Sequence, residues 1–572
     1  MRYSADFETT TDVNDCRVWA WGLSTVEEFP EFQYGNDLSD FMDLLETLEN
    51  PILYFHNLKF DGEFILCWLF ENGFERVHKA NRSRTFETLI SDKGQFYSIK
   101  ICFLRQGAKI NKCVTLLDSL KLLPLPVDKI AKGFGLPIRK LHIDYDSPRP
   151  KGHELTRDEI EYLRNDCDIV AIALHMFFVL VLGEKFHPRD VKMTIGSFAL
   201  SEYKKTLGKE AFLRYFPPPE YDPDIRKSYR GGWVYVSENC KGKNVKSGLV
   251  FDVNSLYPSV MYEKPLPYGE GVFFEGQYQE NKSFPLYTQL LTCAFKLKKG
   301  KLPMIQVHGS SYFMDTEYVK ESNVEIALNL TSVDLALFVE CYDVYNIEYI
   351  SGYMFRQSNT MFRDYIDKWI SIKNQATLTG NKAMRTIAKL FLNSLYGKFA
   401  SSPVVQSKFP ELLDDGSIHY MLGAKENRKP VYLPVGTFIT AWARDKTIRA
   451  ALAMGDRFLY ADTDSLHIRG YEIPKELDVD HVRLGAWKHE GIFDKAKYLR
   501  AKAYMEHIKE PDSNDPFEWK VTCAGMPEKV HESVDFNSFE YGKKYDAGTG
   551  KLGVKHVKGG IVLVPVDFTL RR

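Results

Sequence analysis

The sequence of 572 residues has almost no net charge, few cysteines and no long apolar run. Its 75 Lys and Arg residues balance 76 Asp and Glu residues, so any surface that binds nucleic acid has to be a local basic patch. The nine cysteines include no C-x-x-C pair, so neither a zinc site nor a disulfide framework is expected. The most apolar run, 169–182, is too short to cross a bilayer. It predicts a buried helix, in an intracellular protein with no membrane segment.

Apolar material for several cores is nevertheless present. Hydrophobic residues make up 44% of the chain, and its length is typical of three or four domains. Strand-like runs alternate with helical patterns in the first part, which predicts an α/β domain that ends near 190–220, where prolines cluster. Residues 264–362 are predicted to form short strands and turns. Residues 363–400 are predicted to form a helical hairpin with a polar break between Lys373 and Lys382.

Acidic residues recur in three separate segments of the first third of the chain. Asp6 and Glu8 fall at i and i+2 of a short strand, so both point to one face. Asp61 follows an apolar run, and Asp166 lies one helical turn after Tyr162. Each segment alone is typical of an ordinary polar edge. Together, the four carboxylates could hold two divalent ions about 3.5–4 Å apart, and their order resembles that of DEDD-type 3′–5′ exonucleases of the tyrosine variant.

A second acidic set lies in the other half of the sequence. Asp252 ends one apolar run, while Asp462 and Asp464 alternate on a predicted hairpin after another. A calcium loop is excluded because no Gly and Glu follow at the required spacing. Two polar hairpin tips remain the alternative for either motif alone. Two aspartates from distant segments are also the minimum equipment for two-metal phosphoryl transfer.

A polar stripe lies between these two acidic motifs. Lys389, Asn393 and Tyr396 stand at i, i+4 and i+7 of a predicted helix. A lysine that reaches triphosphate oxygens and a tyrosine beside the base would suit a nucleotide pocket. A solvent-exposed stripe is the alternative, although such a face rarely carries a tyrosine followed by a helix-weakening glycine.

These motifs, in this order, resemble family B DNA polymerases with an exonuclease, where 252–258, 389–398 and 460–465 match motifs A, B and C. Four further segments make the whole chain similar to the protein-primed polymerases of small bacteriophages with linear genomes. They are Tyr229-Arg230-Gly231-Gly232, Thr440-Ala441-Trp442-Ala443-Arg444, Lys502-Ala503-Tyr504 and Cys523-Ala524-Gly525-Met526.

The resemblance implies an α/β multidomain (α+β) fold. An RNase H-like DEDD exonuclease domain would be joined to a right-hand palm, fingers and thumb with two insertions. The implied units are an exonuclease domain at 1–188, a palm at 189–263 and 429–523, insertions at 264–362 and 402–428, fingers at 363–401 and a thumb at 524–572. The first insertion would dock a terminal protein, and the second would close around the template to give processivity and strand displacement.

Roles for individual residues also follow from the resemblance. The implied metal ligands are Asp6, Glu8, Asp61 and Asp166 in the exonuclease, and Asp252, Val253 through its carbonyl, Asp462 and Asp464 in the polymerase. The exonuclease catalytic residues also include Tyr162 and Lys140. The implied nucleotide-binding residues are Tyr257, Lys373, Lys389, Asn393 and Tyr396. The implied DNA-binding residues are Thr9, His56, Asn57, Phe60, Ser119, Leu120, Tyr229, Gly231, Gly232, Lys502 and Tyr504.

Cofactors and partners complete these expectations. The resemblance implies two Mg²⁺ ions in each centre, for which Mn²⁺ can substitute. It implies a monomer in the cytoplasm of the infected bacterial host that binds template and primer DNA, dNTPs, a terminal protein and a phage single-stranded DNA-binding protein. His142 stands where relatives carry an aspartate proposed as a further metal contact, so it is not assigned as a ligand.

Three other functions compete with this prediction. The first is a family B polymerase that extends ordinary hydroxyl primers, and the second is a nuclease with a decayed polymerase half. The presence of Asp252, Asp464, Lys389 and Tyr257 argues against the second. The third is a non-catalytic nucleic-acid-binding protein, in which the carboxylates would only repel phosphate.

Overall fold

The computed structural model describes residues 1–103, 112–145, 147–307 and 313–571. Two eight-stranded sheets form its frame, one in the first third of the chain and one built mainly from 234–253 and 458–523. Helices pack against both sheets. The predicted mixed α/β class is therefore confirmed.

The first sheet is mixed, because its first strand runs parallel to its neighbour Ile52–Phe55 and antiparallel to the other neighbour. In spatial order its strands are Phe32–Gly35, Val18–Thr25, Arg2–Thr9, Ile52–Phe55, Cys113–Asp118, Phe96–Cys102, Thr85–Ile90 and Glu75–Arg76. The helices of this region are Leu38–Thr47, Leu58–Glu71, Val127–Phe134 and Arg157–Leu182, with a 3₁₀ turn at Ser119–Lys121.

Helix Arg157–Leu182 contains the predicted apolar run. Thr156 and Glu159 form a capping box at its start, which satisfies the first free backbone N–H groups. In the described part of the chain it is the one helix long and apolar enough to cross a membrane, and 56% of its most apolar stretch is buried within the protein. It packs against strands Arg2–Thr9 and Val18–Thr25 of the sheet.

The second sheet is antiparallel throughout. In spatial order its strands are Glu518–Cys523, Ala503–Lys509, Trp487–Arg500, Gly248–Val253, Ser465–Arg469, Phe458–Asp462 and Val234–Val236, and Asn244–Val245 also pairs with Trp487–Arg500. The surrounding helices are Ile195–Leu207, Lys209–Tyr215, Asp222–Arg226, Leu256–Glu263 and Leu433–Met454, with 3₁₀ turns at Pro188–Asp190 and Gly455–Arg457.

Residues 264–362 form a four-stranded antiparallel sheet with helix Ser332–Cys341. Its strands are 10 to 17 residues long, so the prediction of short strands is wrong. Bulges shift the register within three of the strand pairs. Each bulge interrupts the alternation of apolar and polar residues, so one long strand looks like several short ones. In spatial order the strands are Leu266–Glu275, Tyr342–Ser358, Leu286–Leu297 and Glu321–Thr331.

The predicted helical hairpin is present as helices Arg363–Leu378 and Lys382–Ser394, followed by the short helix Tyr396–Phe399. The first helix continues past Lys373 and ends at Leu378. Asn381 caps the second helix by accepting a 3.0 Å hydrogen bond from Met384 N. The turn is therefore shorter than the polar break in the sequence indicates.

Two hairpins from the second half of the chain rest on the N-terminal region. The hairpin Val404–Leu412 with Ile418–Asn427 touches it through Arg76, whose guanidinium lies 3.8 Å from the centre of the Phe409 ring. His556, on the hairpin Leu552–Val557 with Gly560–Pro565, lies 3.6 Å from buried Glu63. Burial raises the pKa of Glu63 to about 7. The remaining elements are helix Glu528–His531, the 3₁₀ turn Ala547–Thr549 and the strand pair Lys544–Tyr545 with Phe568–Thr569.

One disulfide joins Cys102 to Cys113, which lie opposite each other on neighbouring strands. A single bridge is not the disulfide framework that the cysteine spacing excluded, but this pair was not predicted from the sequence. A cross-strand pairing depends on strand register, which cysteine spacing alone does not give. The other seven cysteines are free.

Candidate active sites

Four carboxylates from three elements form the first carboxylate site, defined as Asp6, Glu8, Asp61 and Asp166. Asp6 and Glu8 lie on the strand that begins the chain, Asp61 in the first turn of a helix and Asp166 in the long capped helix. Glu8, Asp61 and Asp166 are each at most 5% exposed. Phe7 N donates a 3.2 Å hydrogen bond to Asp61 Oδ1, which ties the strand to the helix.

Burial and mutual repulsion make these carboxyls hard to ionise. Burial, followed by the charge of Asp166, raises the pKa of Asp6 to about 7. Burial and the charge of Asp6 raise the pKa values of Glu8 and Asp61 well above the ordinary range. Asp166 Oδ1 is buried without a hydrogen-bond partner. A cation at this place would relieve both the repulsion and the unpaired oxygen.

Lys140 supplies the positive charge nearest to this site. Its ammonium group pairs with Asp166 and lies 3.5 Å from the Tyr162 hydroxyl. Burial opposes the charged form of Lys140, but Asp166 raises its pKa. The Tyr162 hydroxyl is also 2.7 Å from that of Tyr145. The sequence analysis did not identify Tyr145, although it closely follows Lys140 in the chain.

The residues predicted to bind a single-stranded 3′ end lie around this site, but not all of them are open to a ligand. Both ring nitrogens of His56 are engaged, Nδ1 at 2.9 Å from Ser119 Oγ and Nε2 at 2.8 Å from Leu125 O. Ser119 is fully buried and donates to Phe55 O. His56 and Ser119 therefore support the surrounding backbone, and their contacts with DNA stay predictions.

Asp118 fixes two other members of the predicted DNA-binding set. Its Oδ1 accepts hydrogen bonds from the backbone N–H groups of Asn57 at 3.1 Å and Leu120 at 3.0 Å. Asn57 has a positive φ of 79° and begins the helix that carries half-buried Phe60. Thr9 lines a neighbouring cavity of about 280 Å³. Asp118 was not predicted from the sequence, because it is the last residue of strand Cys113–Asp118 and belongs to no motif.

A larger cavity of about 630 Å³ lies between this region and the helical hairpin. Lys132, Arg139, Lys140 and His142 line one side, and Lys382 lines the other. His142 is exposed and faces this cavity. This placement gives no reason to assign it as a metal ligand.

The second carboxylate site is defined as Asp252, Asp462 and Asp464. Asp252 pairs across the sheet with Ser465, next to the tight turn that carries Asp464. Val253 N donates a 2.9 Å hydrogen bond to Asp464 O, and Asp464 N donates to Asp462 O at 2.7 Å. The backbone therefore fixes Asp252 and Asp464 as neighbours, although 212 positions separate them in the chain.

The charge of Asp464 acts on the carboxyl group of Asp252. Burial, followed by the charges of Asp464 and Glu490, raises the pKa of Asp252 to about 7, while Lys488 and Lys389 oppose the shift. Burial also raises the pKa of Asp464. Lys389, from the predicted polar stripe, thus lies close enough to act on this site.

Two tyrosines of the predicted nucleotide pocket stack beside Asp252. The ring centres of Tyr257 and Tyr396 are 4.0 Å apart. Tyr229 lies close to this pair, and its pKa is raised by burial and then by the neighbouring Tyr396. The helix of Lys389 and Asn393 ends at Ser394, so Tyr396 belongs to the next short helix rather than to one continuous stripe.

Three cations cluster on the two helices of the hairpin. Burial lowers the pKa of Lys373, and so do the charges of Arg385 and Lys389. Exposed Asn393 follows Lys389 by one turn. Arg385 was not predicted from sequence, although it stands one turn before Lys389 on the same face. Such a cluster is suited to a polyphosphate.

The segment 229–232, which carries three of the predicted DNA-binding residues, packs against the turn of the second carboxylate site. A Cβ atom at Gly232 would come within 2.4 Å of Thr463 Oγ1, so only glycine allows this approach. Arg444 donates to the carbonyl oxygens of Arg230 at 2.6 Å and Gly231 at 2.8 Å. Buried Asp334 holds the same guanidinium through both of its oxygens.

Lys502 contacts the second carboxylate site from the turn between strands Trp487–Arg500 and Ala503–Lys509. Its ammonium group is 2.5 Å from Asp462 Oδ2. Tyr504, two residues later, packs with its ring centre 4.9 Å from that of Tyr460. An amine thus contacts a carboxylate in each of the two sites.

The donor sets of both sites fit a hard divalent cation. All predicted side-chain ligands are carboxylate oxygens, which Mg²⁺ and Mn²⁺ prefer. In the described ranges, no three His, Cys, Asp or Glu side chains converge closely enough to form a ready-made metal cluster. The fit therefore rests on donor chemistry, raised carboxyl pKa values and the unpaired oxygen of Asp166.

Comparisons with known proteins match the whole chain. The family described as "DNA polymerase type B, organellar and viral" matches residues 47–149 and 143–481. The DNA polymerases of Bacillus phage Nf and Bacillus phage phi29 are each 44% identical, over 100% of this chain and 99% of the relative. The Streptococcus phage Cp-1 DNA polymerase is 32% identical over 100% of this chain and 98% of its own length.

Solved structures agree with the sequence matches. Phi29 DNA polymerase complexed with primer-template DNA and incoming nucleotide substrates has a TM-score of 0.92 and 43% identity, with 100% of both chains covered. The same polymerase complexed with single-stranded DNA has a TM-score of 0.92 and 42% identity over the same coverage.

Divalent metal binding is expected to release protons near neutral pH. Because the pKa values of Asp6 and Asp252 are raised to about 7, a large fraction of both carboxyls is protonated at pH 6.5, and a bound metal requires the charged form. Titration calorimetry with Mn²⁺ in two buffers of different ionisation enthalpy should show proton release at pH 6.5 and little at pH 8.5. The double variant Asp6→Asn with Asp252→Asn should lose most of it. Equal heats in the two buffers at pH 6.5 would contradict the raised pKa values.

Proposed function

The chain belongs to the type B DNA polymerases of organelles and viruses, and on that premise we propose that it replicates a linear phage genome from a protein primer. The match to protein-primed phage polymerases over the full length supports this proposal. The observation that supports two activities is structural. Two separate sets of carboxylates lie at two different sheets, and each set has its own lysine. One set is proposed to add nucleotides and the other to remove them.

The second carboxylate site is proposed as the polymerase centre. Two Mg²⁺ ions would be held by Asp252, Asp462, Asp464 and the carbonyl of Val253. These ions would neutralise the negative charge that builds up during phosphoryl transfer. Lys373, Arg385 and Lys389 would bind the triphosphate. Tyr257 would exclude a ribose 2′-hydroxyl, and its stacking against Tyr396, with ring centres 4.0 Å apart, would hold it in place for that role.

The first carboxylate site is proposed as the 3′–5′ exonuclease centre. Asp6, Glu8, Asp61 and Asp166 would be its metal ligands. Tyr162, held by Lys140 and Tyr145, would orient the attacking water. The single-stranded end that is degraded would be held by Thr9, Asn57, Phe60 and Leu120. His56 and Ser119 would support the backbone around it.

The domain assignment follows from the same proposal. Residues 1–188 would be an RNase H-like exonuclease domain, 189–263 and 429–523 the palm, 363–401 the fingers and 524–572 the thumb. The sheet at 264–362 would dock the terminal protein. The hairpin within 402–428 would enclose the template, and its contact with the N-terminal region through Phe409 and Arg76 favours such a closed path.

Partners and location are proposed on the same basis. The phi29 polymerase structures contain primer-template DNA, nucleotide substrates or single-stranded DNA, and we assign these ligand classes to this chain. Tyr229, Gly231, Gly232, Lys502 and Tyr504 would contact DNA near the primer end. The protein would act as a monomer in the cytoplasm of the infected bacterium, with a terminal protein and a phage single-stranded DNA-binding protein.

Separate removal of each carboxylate site should separate the two activities. Asp6→Ala with Asp166→Ala should abolish degradation of a single-stranded 3′ end while extension of primed DNA continues. Asp252→Ala should abolish extension while degradation continues, so each variant is the folding control for the other. Loss of both activities in either variant would contradict two independent centres.

Protein priming is tested by incubation of the enzyme with its candidate terminal protein and one labelled dNTP. The expected result is label bound covalently to the terminal protein, with no product from Asp252→Ala. Extension of a DNA primer without any labelled terminal protein would instead favour the second candidate, a family B polymerase that uses hydroxyl primers.

A further inference from the structure

A buried polar cluster lies beneath the hairpin that carries Asp462 and Asp464. It consists of His467, Tyr498 and Glu506, here called the His–Tyr–Glu cluster. They are 2%, 0% and 1% exposed. His467 and Glu506 lie on strands that are separated by two other strands in the sheet order, so the sheet has to curl to bring them together.

The hydrogen bonds within the cluster converge on one carboxylate oxygen. Glu506 Oε1 accepts from the Tyr498 hydroxyl at 2.6 Å and lies 2.6 Å from His467 Nδ1. Burial alone would oppose ionisation, but His467 and Tyr498 lower the pKa of Glu506 below its ordinary value. A charged, buried carboxylate with these partners fixes its neighbours strongly, because loss of one partner leaves another unpaired.

Tyr460 connects the cluster to the second carboxylate site. Its ring centre is 5.1 Å from that of His467 and 5.7 Å from that of Tyr498. Its hydroxyl donates to Asp462 Oδ2 at 3.3 Å and accepts from Lys502 N at 3.1 Å. A shift of the two supporting rings would therefore move Asp462 and Lys502 together.

We propose that the His–Tyr–Glu cluster positions the polymerase centre by fixing Tyr460 between Asp462 and Lys502. His467, Tyr498 and Glu506 are positioning residues, because none of them belongs to the second carboxylate site or to the predicted DNA contacts. The inference rests on the proposed polymerase role of the second carboxylate site. The cluster would thus keep the proposed metal ligand Asp462 and the proposed primer contact Lys502 in a fixed position relative to each other.

The chain offers a matched control on the strands of Tyr498 and Glu506. His507 and Asp494 form another histidine–carboxylate pair, with a distance of 2.7 Å between Nδ1 and Oδ1. Their side chains are 28% and 43% exposed, and none of their described contacts includes Tyr460. A general stabilising effect of such pairs would appear in both places, whereas a positioning effect would appear only at the buried cluster.

The test compares Glu506→Ala, Glu506→Gln and Tyr498→Phe with the control His507→Gln. In single-nucleotide incorporation, Glu506→Ala should lower kcat about 10- to 100-fold. KM for the dNTP should stay unchanged, because the lysines proposed to bind it, Lys373 and Lys389, lie on the helical hairpin and not on the strands of the cluster. Glu506→Gln keeps an oxygen acceptor and should restore most of the rate. Exonuclease activity on single-stranded DNA and all rates of His507→Gln should stay at the wild-type level.

A second readout does not depend on bound metal. In EDTA, Glu506→Ala should bind primer-template DNA more weakly than wild type and His507→Gln, because Lys502 is no longer held. Unchanged incorporation, an equal fall of both activities, or a rise in KM at constant kcat would overturn the proposal. If Glu506→Ala does not fold, Tyr498→Phe takes its place, because that variant loses only one oxygen atom. It should show a smaller fall in kcat with an unchanged KM. An unchanged kcat in Tyr498→Phe would also overturn the proposal.

Normal extension on primed DNA by Asp462→Ala would instead refute the role of the second carboxylate site itself. That result is distinguishable, because failure of the cluster proposal alone leaves Asp462→Ala inactive and Glu506→Ala active.

Discussion

Repulsion between neighbouring, at least partly buried carboxylates is the constraint around which both halves of this protein are built. Asp6 and Asp252 each lie near the end of a strand within a large sheet, and the pKa of each is raised to about 7 by burial and by a neighbouring carboxylate. Such groups stay together only where the surrounding backbone fixes them or a cation neutralises them. The fold supplies the first condition through hydrogen bonds such as that from Val253 N to Asp464 O. The divalent ions that type B polymerases use supply the second.

The two carboxylate sites belong to different sheets, yet they are held in one molecule. Thr386, on helix Lys382–Ser394 of the helical hairpin, donates a 2.8 Å hydrogen bond to Gly133 O in the N-terminal region. A basic cavity lies between the same two elements. Lys132, Arg139, Lys140 and Lys382 line this space, and cations in such a place attract the phosphates of nucleic acid.

The sequence was sufficient for the parts of this account that depend on local pattern. Periodicity correctly predicted the strand that carries Asp6 and Glu8, the helix that carries Asp166 and the helical hairpin. The errors arose where pairing across the chain decides the structure. Bulges concealed the long strands of 264–362, and register alone brought Cys102 opposite Cys113. Side chains that support others, such as Asp118 and Glu506, belong to no motif, because their roles appear only when distant strands are brought together.

The central claim is that Asp252 and Asp464 share one pair of divalent ions while the first carboxylate site holds another. Crystals of the protein with primer-template DNA and an incoming nucleotide, grown with Mn²⁺, would test it directly through the anomalous signal of the metal. The account predicts two manganese peaks between Asp252 and Asp464, and separate peaks among Asp6, Glu8, Asp61 and Asp166. Absence of manganese between Asp252 and Asp464, with the nucleotide bound, would contradict it.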